Sequence, residues 1–301
     1  KFTTEDMLRI QLDSVDLNAR EILHLLFNNI DKHWSILMTK LPSQDFKKTL
    51  RRFREHLKNW DGDYHVNSTQ ASLFALWEME FHVSLLADQI PKVIRETMVN
   101  IPDSDLFLMD LMEHLFDDPN YMGEYCQSSI TMYNKTIEIE EYKCVMSLAY
   151  NAIYAWKMLE KTVSKKPKNW RWGALHRHYY DHTPFSLIPG LKYFFHREVE
   201  AAGSRRTLNF GCYDYYLNNM EEEVFFKSLF SANFRGVIDM ATYEDPEKYP
   251  LYMSLDTGAS QHFMSPHYFD MNSLHFSTSR IMEVDQEKVK AKAKYHLELK
   301  K

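Results

Sequence analysis

The chain has 301 residues, 36 of them basic and 42 acidic, for a net charge of −6 with histidine neutral, which excludes a protein that grips nucleic acid on a basic face. Aromatics at 14% and hydrophobics at 45% supply enough apolar surface for a core, which excludes disorder. Only 8 glycines exclude a Gly-rich or collagen-like repeat, and no apolar run approaches the ~18 residues of a membrane span. In chain order, Thr3-Thr4-Glu5-Asp6 predicts a helix start, with Thr3 as cap and Asp6 three residues on. Ala19, Ile22, Leu23, Leu26 and Ile30 keep a helical stripe. Phe46, Leu50, Phe53, Leu57 and Trp60 keep another, with Lys47, Lys48, Arg51, Arg52 and Arg54 on a solvated face. Pro42 precedes that helix and Asp61-Gly62-Asp63 ends it. Further helices are predicted over 68–90, 104–116 and 138–163, the last with Tyr142, Val145, Met146, Ala149, Ile153, Trp156 and Leu159 inward.

The character changes at Lys165-Lys166-Pro167-Lys168. Beyond it, short aromatic and β-branched segments separated by Gly, Pro, Asn and Asp predict strands over 170–178, 192–199, 207–212, 224–230, 233–241 and 250–256. Ser265-Pro266 predicts a short helix to about Ser279, with Ser as cap and Pro at the first helical position, and 294–299 a closing strand. The expected organisation is a helical region over 1–165 followed by a β-rich segment over 166–301, an α+β chain.

Lys1 is neither an initiator methionine nor the start of a signal peptide, so residue 1 is expected to be a cut within a longer polypeptide. Three cysteines, Cys126, Cys144 and Cys212, allow one intramolecular disulfide at most and do not make a disulfide framework. Asn67-Ser68-Thr69 and Asn134-Lys135-Thr136 are glycosylation sequons. Together these point to the secretory route, extracellular or lysosomal.

Two clusters hold the chemistry-bearing residues. Residues 170–182 place His176, His178, Asp181 and His182 within seven positions, a composition that suits zinc. In a strand, however, His176 and His178 share a face while Asp181 and His182 point apart, and no second ligand group follows. The run departs by one residue from the His-x-His-x-Asp-His pattern of metallo-β-lactamases. The second cluster opens with Asp256-Thr257-Gly258, the aspartic-protease triplet, which needs a second copy that this chain lacks. A triad from Ser265, His267 and Asp270 has no Gly-x-Ser-x-Gly elbow to support it.

Three segments, in order, carry a resemblance. Phe2-Thr3-Thr4-Glu5-Asp6-Met7 with Gln11 and Asp13 comes first. Trp170-Arg171-Trp172-Gly173 with His176 matches a Trp-x-Trp-Gly-x-x-His signature. Phe234-Arg235-Gly236-Val237-Ile238-Asp239, then Asp256-Thr257-Gly258-Ala259-Ser260 and Ser265-Pro266-His267-Tyr268-Phe269-Asp270, form a closing block. The chain resembles the penicillin amidase (penicillin acylase) family of N-terminal nucleophile hydrolases. In that family the block reads Gly-Gln-Ser-Gly then Ser-Pro-His-Tyr-x-Asp, and Ala259 and Gln261 depart from it.

The resemblance implies the C-terminal part of a β chain completing an αββα sandwich, preceded by a large helical region. It implies a precursor that cleaves itself, a new N-terminal residue as nucleophile with its α-amine as base, and hydrolysis of an N-acyl amide. It places the nucleophile, the oxyanion Asn, the orienting Arg and any calcium ligands upstream of Phe2, on another segment or a partner chain of the same precursor. No catalytic, cofactor or metal residue of the family therefore maps onto residues 1–301, and the Lys1 side-chain amine does not replace the nucleophile. Trp170, Trp172, Gly173, His176, Gly258, Ser265, Pro266, His267, Tyr268 and Asp270 are expected to be structural. Two other readings stand beside this one: a non-catalytic scaffold keeping the fold, and a zinc hydrolase on His176, His178 and His182.

Overall fold

The computed structural model describes residues 2–85, 126–132, 135–213, 226–238, 251–277 and 282–284, with isolated positions at 88, 90, 91, 93, 94 and 291. The helix predicted over 104–116, the closing strand over 294–299 and the sequon residue Asn134 lie outside the described residues.

Helix α1 (Thr4–Gln11) begins with the capping box its sequence announces. The Thr3 hydroxyl accepts from the Asp6 amide at 3.2 Å while Asp6 accepts from the Thr3 amide at 2.9 Å. Side chains of Asp16, Ser43 and Ser68 cap α2 (Leu17–Lys32), α4 (Gln44–Leu57) and α5 (Thr69–Ser84), and a short α3 (Trp34–Lys40) lies between. The predicted stripes face inward: Ala19, Ile22, Leu26, Ile30, Leu50, Phe53 and Leu57 are fully buried. Helix α5 is buried on nearly every face, as a helix apolar all round must be, and lies at the centre of the helical layer. Against it packs α6 (Lys143–Thr162), whose stripe from Val145 to Leu159 is buried. Tyr142 departs from expectation. It stands just before α6 with φ 54° and is 47% exposed, because the chain turns there through the left-handed region instead of continuing a helix.

Cys126 and Cys144 form a disulfide that ties the segment before a two-stranded hairpin, β1 (Ser129–Met132) and β2 (Lys135–Glu138), to the first turn of α6. Cys212 takes no part in it. Beyond residue 170 two sheets are described. The first has the order β4-β3-β6-β5, from β3 (His176–Asp181), β4 (His196–Glu200), β5 (Gly211–Tyr213) and β6 (Phe226–Ser231). Only β3 and β6 are parallel. The second is the antiparallel β7-β8-β9, from β7 (Phe234–Val237), β8 (Leu251–Leu255) and β9 (Met282–Val284), with α7 (Asn272–Ser277) packed on β8. The strands predicted at 170–178 and 192–199 both open with a single helical turn, Trp172–Leu175 and Lys192–Phe195, and become strand at His176 and His196.

Helices and sheets are joined by a buried ionic network. Arg206 donates to Asp16 at 2.9 Å through Nε and to both Glu78 carboxylate oxygens at 2.9 and 3.1 Å. The Ser204 hydroxyl donates to the same Asp16 carboxylate at 3.0 Å, and Asp16 and Glu78 have no solvent exposure. One guanidinium thus holds the cap of α2 and the middle of α5 against the loop before β5.

Candidate functional site

The Trp-Arg-Trp-Gly segment is the keystone between the helical layer and the first sheet. Trp170 and Trp172 are fully buried and each keeps its indole N–H satisfied, Trp170 on the Ser164 carbonyl at 2.7 Å and Trp172 on the Gly203 carbonyl at 2.9 Å. Trp170 meets the edge of Trp156 with ring centroids 4.8 Å apart. Trp172 stacks on His176, also at 4.8 Å, with the planes 20° apart. Gly173 is required by space: a Cβ there would stand 2.9 Å from Val66 Cβ and 3.0 Å from Glu200 Cβ.

His176 opens β3 and is fully buried. Its Nδ1 faces the Ala201 carbonyl at 3.0 Å, and since a carbonyl only accepts, Nδ1 carries the proton. Burial pulls its pKa down to about 4, only partly offset by hydrogen bonds with the Ala201 and Gly211 backbone. His178 lies on the same face, its ring 5.8 Å from that of His176. Burial, followed by the neighbouring charges of His176, Arg235 and His275, lowers its pKa to about 3. Both imidazoles are therefore neutral core groups. Asp181 points the other way, to the exposed side, where it pairs with His196 Nδ1 at 2.7 Å. His182 packs among Phe185, Phe195 and Tyr268. The four chemistry-bearing residues of this run do not converge. Among the described residues no three His, Cys, Asp or Glu side chains form a group that could hold a metal ion.

The second motif block folds back on itself. Strand β8 delivers Asp256-Thr257-Gly258, and Gly258 packs against the backbone of His267 and Tyr268. The Ser260 amide donates to the His267 carbonyl at 3.0 Å, and the Met271 amide to the Thr257 carbonyl at 3.0 Å. Ser265 and Pro266 start a tight turn closed by the Tyr268 amide on the Ser265 carbonyl at 3.2 Å. The expected helix from Ser265 is thus displaced: among the described residues it runs over Asn272–Ser277, because the Ser260 and Met271 amides are bonded across the loop and those of Ser265 and Tyr268 close tight turns. The Ser265 hydroxyl accepts from the His267 amide at 3.1 Å, so it serves the turn. His267, 68% exposed, bonds Asp270 at 2.8 Å, an i,i+3 pair on the surface.

Sequence reasoning assigned no role to Arg235, Asn209 or His275, which form a buried polar centre under the second sheet. Arg235 donates to the His275 carbonyl at 2.7 Å and to Asn209 Oδ1 at 2.5 Å. Burial lowers its pKa to about 10. Beyond Arg235 lying in the closing block, the signal was a charge in a predicted strand beside Phe234, Val237 and Ile238, where it has to find partners.

Between the end of β3, the start of β4 and the Gly258 loop lies an open cleft of about 810 Å³. Its walls include Tyr180, His182, Phe195, Gly258, Tyr268 and Phe269. Gly258 and Tyr268, both motif positions, thus form part of the wall of this cleft. Burial raises the Asp256 pKa beside it, and Tyr180 is pushed above its usual range.

The family model described as penicillin amidase matches residues 1–291, nearly the whole chain. The chain belongs to the penicillin amidase family. No curated protein matches it. Membership makes an acylase-type amide hydrolase the relevant chemistry, and the catalytic unit of such an enzyme is a nucleophile beside a base. Among the described residues two pairs have that form: the Thr69 hydroxyl, at the first residue of α5, lies 3.1 Å from His56 Nε2, and Ser254 lies 3.0 Å from His275 Nδ1. Ser254 and His275 are each 1% exposed, and His275 Nε2 donates to the Ala232 carbonyl at 2.6 Å. With Nε2 protonated, Nδ1 accepts from the Ser254 hydroxyl, and the pair joins β8 to α7 out of reach of substrate. The two motif blocks of this penicillin amidase family chain are likewise built as packing and turn elements.

Proposed function

We propose that residues 1–301 are the C-terminal part of an N-terminal nucleophile amidohydrolase that cleaves N-acyl amides, with the nucleophile supplied by a segment outside these residues. The family match over residues 1–291 carries the reading. It is supported by the burial of the Ser254–His275 pair and by the structural roles of the motif residues Trp170, Trp172, Gly173, His176 and Gly258. On this reading the described sheets are part of the αββα core, with 1–165 as the helical region and 166–301 as the β-rich segment. On this reading the chain supplies packing to the fold and not the reacting groups. An oxidising compartment is supported by the Cys126–Cys144 disulfide.

The test is an active-site label. The protein is isolated with whatever co-purifies, treated with a sulfonyl fluoride and sequenced by mass spectrometry, and hydrolysis of chromogenic N-acyl amides is followed in parallel. The expected result is hydrolysis, with the label on an N-terminal Ser, Thr or Cys outside residues 1–301 and turnover retained in Ser254→Ala. Labelling of Ser254 would overturn the placement of the nucleophile. Absence of hydrolysis and of any labelled N-terminus would instead establish the scaffold reading.

A further inference from the structure

We propose that Asn67 is an N-glycosylation site, carrying an oligosaccharide on its side-chain nitrogen. The residue stands exposed in the turn between Tyr64 and α5, within the sequon Asn67-Ser68-Thr69. Its amide is oriented by chemistry: Arg171 Nη1 faces it at 3.0 Å, and a guanidinium only donates, so the facing atom is Oδ1. That leaves Nδ2, the atom that takes a sugar, without a hydrogen bond among the described residues. Arg171 is itself fixed by Glu200 at 2.6 Å, so the orientation is held from the far side.

Space is available. The neighbouring segment supplies Lys165, Lys166, Lys168 and Asn169, all exposed and polar. The modification also leaves the local structure intact, since the Ser68 hydroxyl that caps α5 and the Asn67 oxygen held by Arg171 are both unchanged by substitution at Nδ2. An independent observation sets the compartment: the Cys126–Cys144 disulfide belongs to an oxidising lumen, where the glycosyl donor is found. The donor is an oligosaccharide linked to a lipid diphosphate. Asn67 Nδ2 bonds to the anomeric carbon, the carbon–oxygen bond to the diphosphate breaks, the lipid diphosphate leaves, and Nδ2 gives up one proton. No oxidation or reduction is involved. The inference stands apart from the amidase reading, since it requires no particular activity.

The test uses the full protein from its native source, digested and analysed by mass spectrometry before and after a peptide N-glycosidase. The expected result is a glycan on the Asn67 peptide that the enzyme removes, converting Asn67 to Asp. In secreted recombinant protein, Thr69→Ala should abolish the modification and Thr69→Ser should restore it, which separates loss of the acceptor from misfolding. A bare Asn67 peptide in the native protein would overturn the proposal, whatever is attached to Asn134. A glycan that persists in Thr69→Ala would overturn it as well.

Discussion

Gly258 approaches His267 so closely that a Cβ on it would stand 2.2 Å from the His267 carbonyl oxygen. The same atom would lie 2.8 Å from the Tyr268 carbonyl carbon. Backbone cannot swing aside as a side chain can, so the two halves of the closing block interlock only with glycine at this position. The bond from the Ser260 amide to the His267 carbonyl depends on that approach.

Gly258→Ala should therefore destabilise the protein by about 1–3 kcal/mol, the usual cost of overpacking. Thermal unfolding compared with wild type measures it. Gly190 is the control: its φ is +85°, but no atom lies within 4 Å of a Cβ there, so Gly190→Ala tests backbone conformation without the steric clash. If the Gly258 variant melted with wild type, the interlock would be wrong.

A second prediction concerns Arg206. Removing it leaves Asp16 and Glu78, both without solvent exposure, as uncompensated buried carboxylates. Arg206→Ala should cost roughly 3–5 kcal/mol in a denaturant titration. Arg206→Lys should recover only part of this, because an ammonium cannot make the two parallel bonds to Glu78 while also reaching Asp16. Full recovery by lysine would mean that charge alone matters and the forked geometry does not.

The helices were legible because their cause is local. The cap at Thr3 and the stripe from Ala19 to Ile30 depend on residues within a turn or two of each other, and both form as the pattern predicts. Tyr142 continued the inward stripe of α6 on paper, but whether a helix reaches back one more residue depends on how the chain arrives from β2. The turn from Ser265 shows the same limit: Ser-Pro fits a helix start by local rule, while the partners of the Ser260 and Met271 amides come from across the loop that the Gly258 contact closes. The motif residues could be listed from sequence, yet the reason for the buried ones is long-range. Trp172 needs the Gly203 carbonyl, 31 residues away, and Arg235 needs Asn209 and His275. Nothing in the spacing of Asp16, Glu78 and Arg206 announced that they meet.

The disulfide offers a third prediction. Cys126 and Cys144 are 18 residues apart, so opening the bond releases a loop whose closure entropy is worth about 3 kcal/mol. Cys144→Ser should lower the unfolding free energy by that order, and reduction of the wild type should do the same. Cys212→Ser, outside the disulfide, should leave the response to reductant unchanged. A wild-type melting curve insensitive to reductant would show that the bond is not formed in the isolated protein.

The last prediction is a pH dependence with a definite sign. In the folded chain burial holds His176 at about 4 and His178 at about 3, both below the ordinary imidazole value near 6.5. Between those limits the unfolded chain binds protons that the folded chain refuses, so stability rises with pH across the window. Their contribution is complete above about 6.5 and is lost as pH falls towards about 4 for His176 and about 3 for His178. Each unit of difference is worth about 1.4 kcal/mol, so near pH 5 His176 alone removes roughly 2 kcal/mol. The unfolding midpoint should fall steadily from neutral pH towards pH 5, before the bulk of the carboxylates titrate. His176→Gln should flatten the slope even while lowering stability at neutral pH, because it removes the titrating group together with its stacking on Trp172. A wild-type midpoint that stayed level over this range would mean that the two imidazoles take up protons in place, and the neutral-core assignment of both would fall with it.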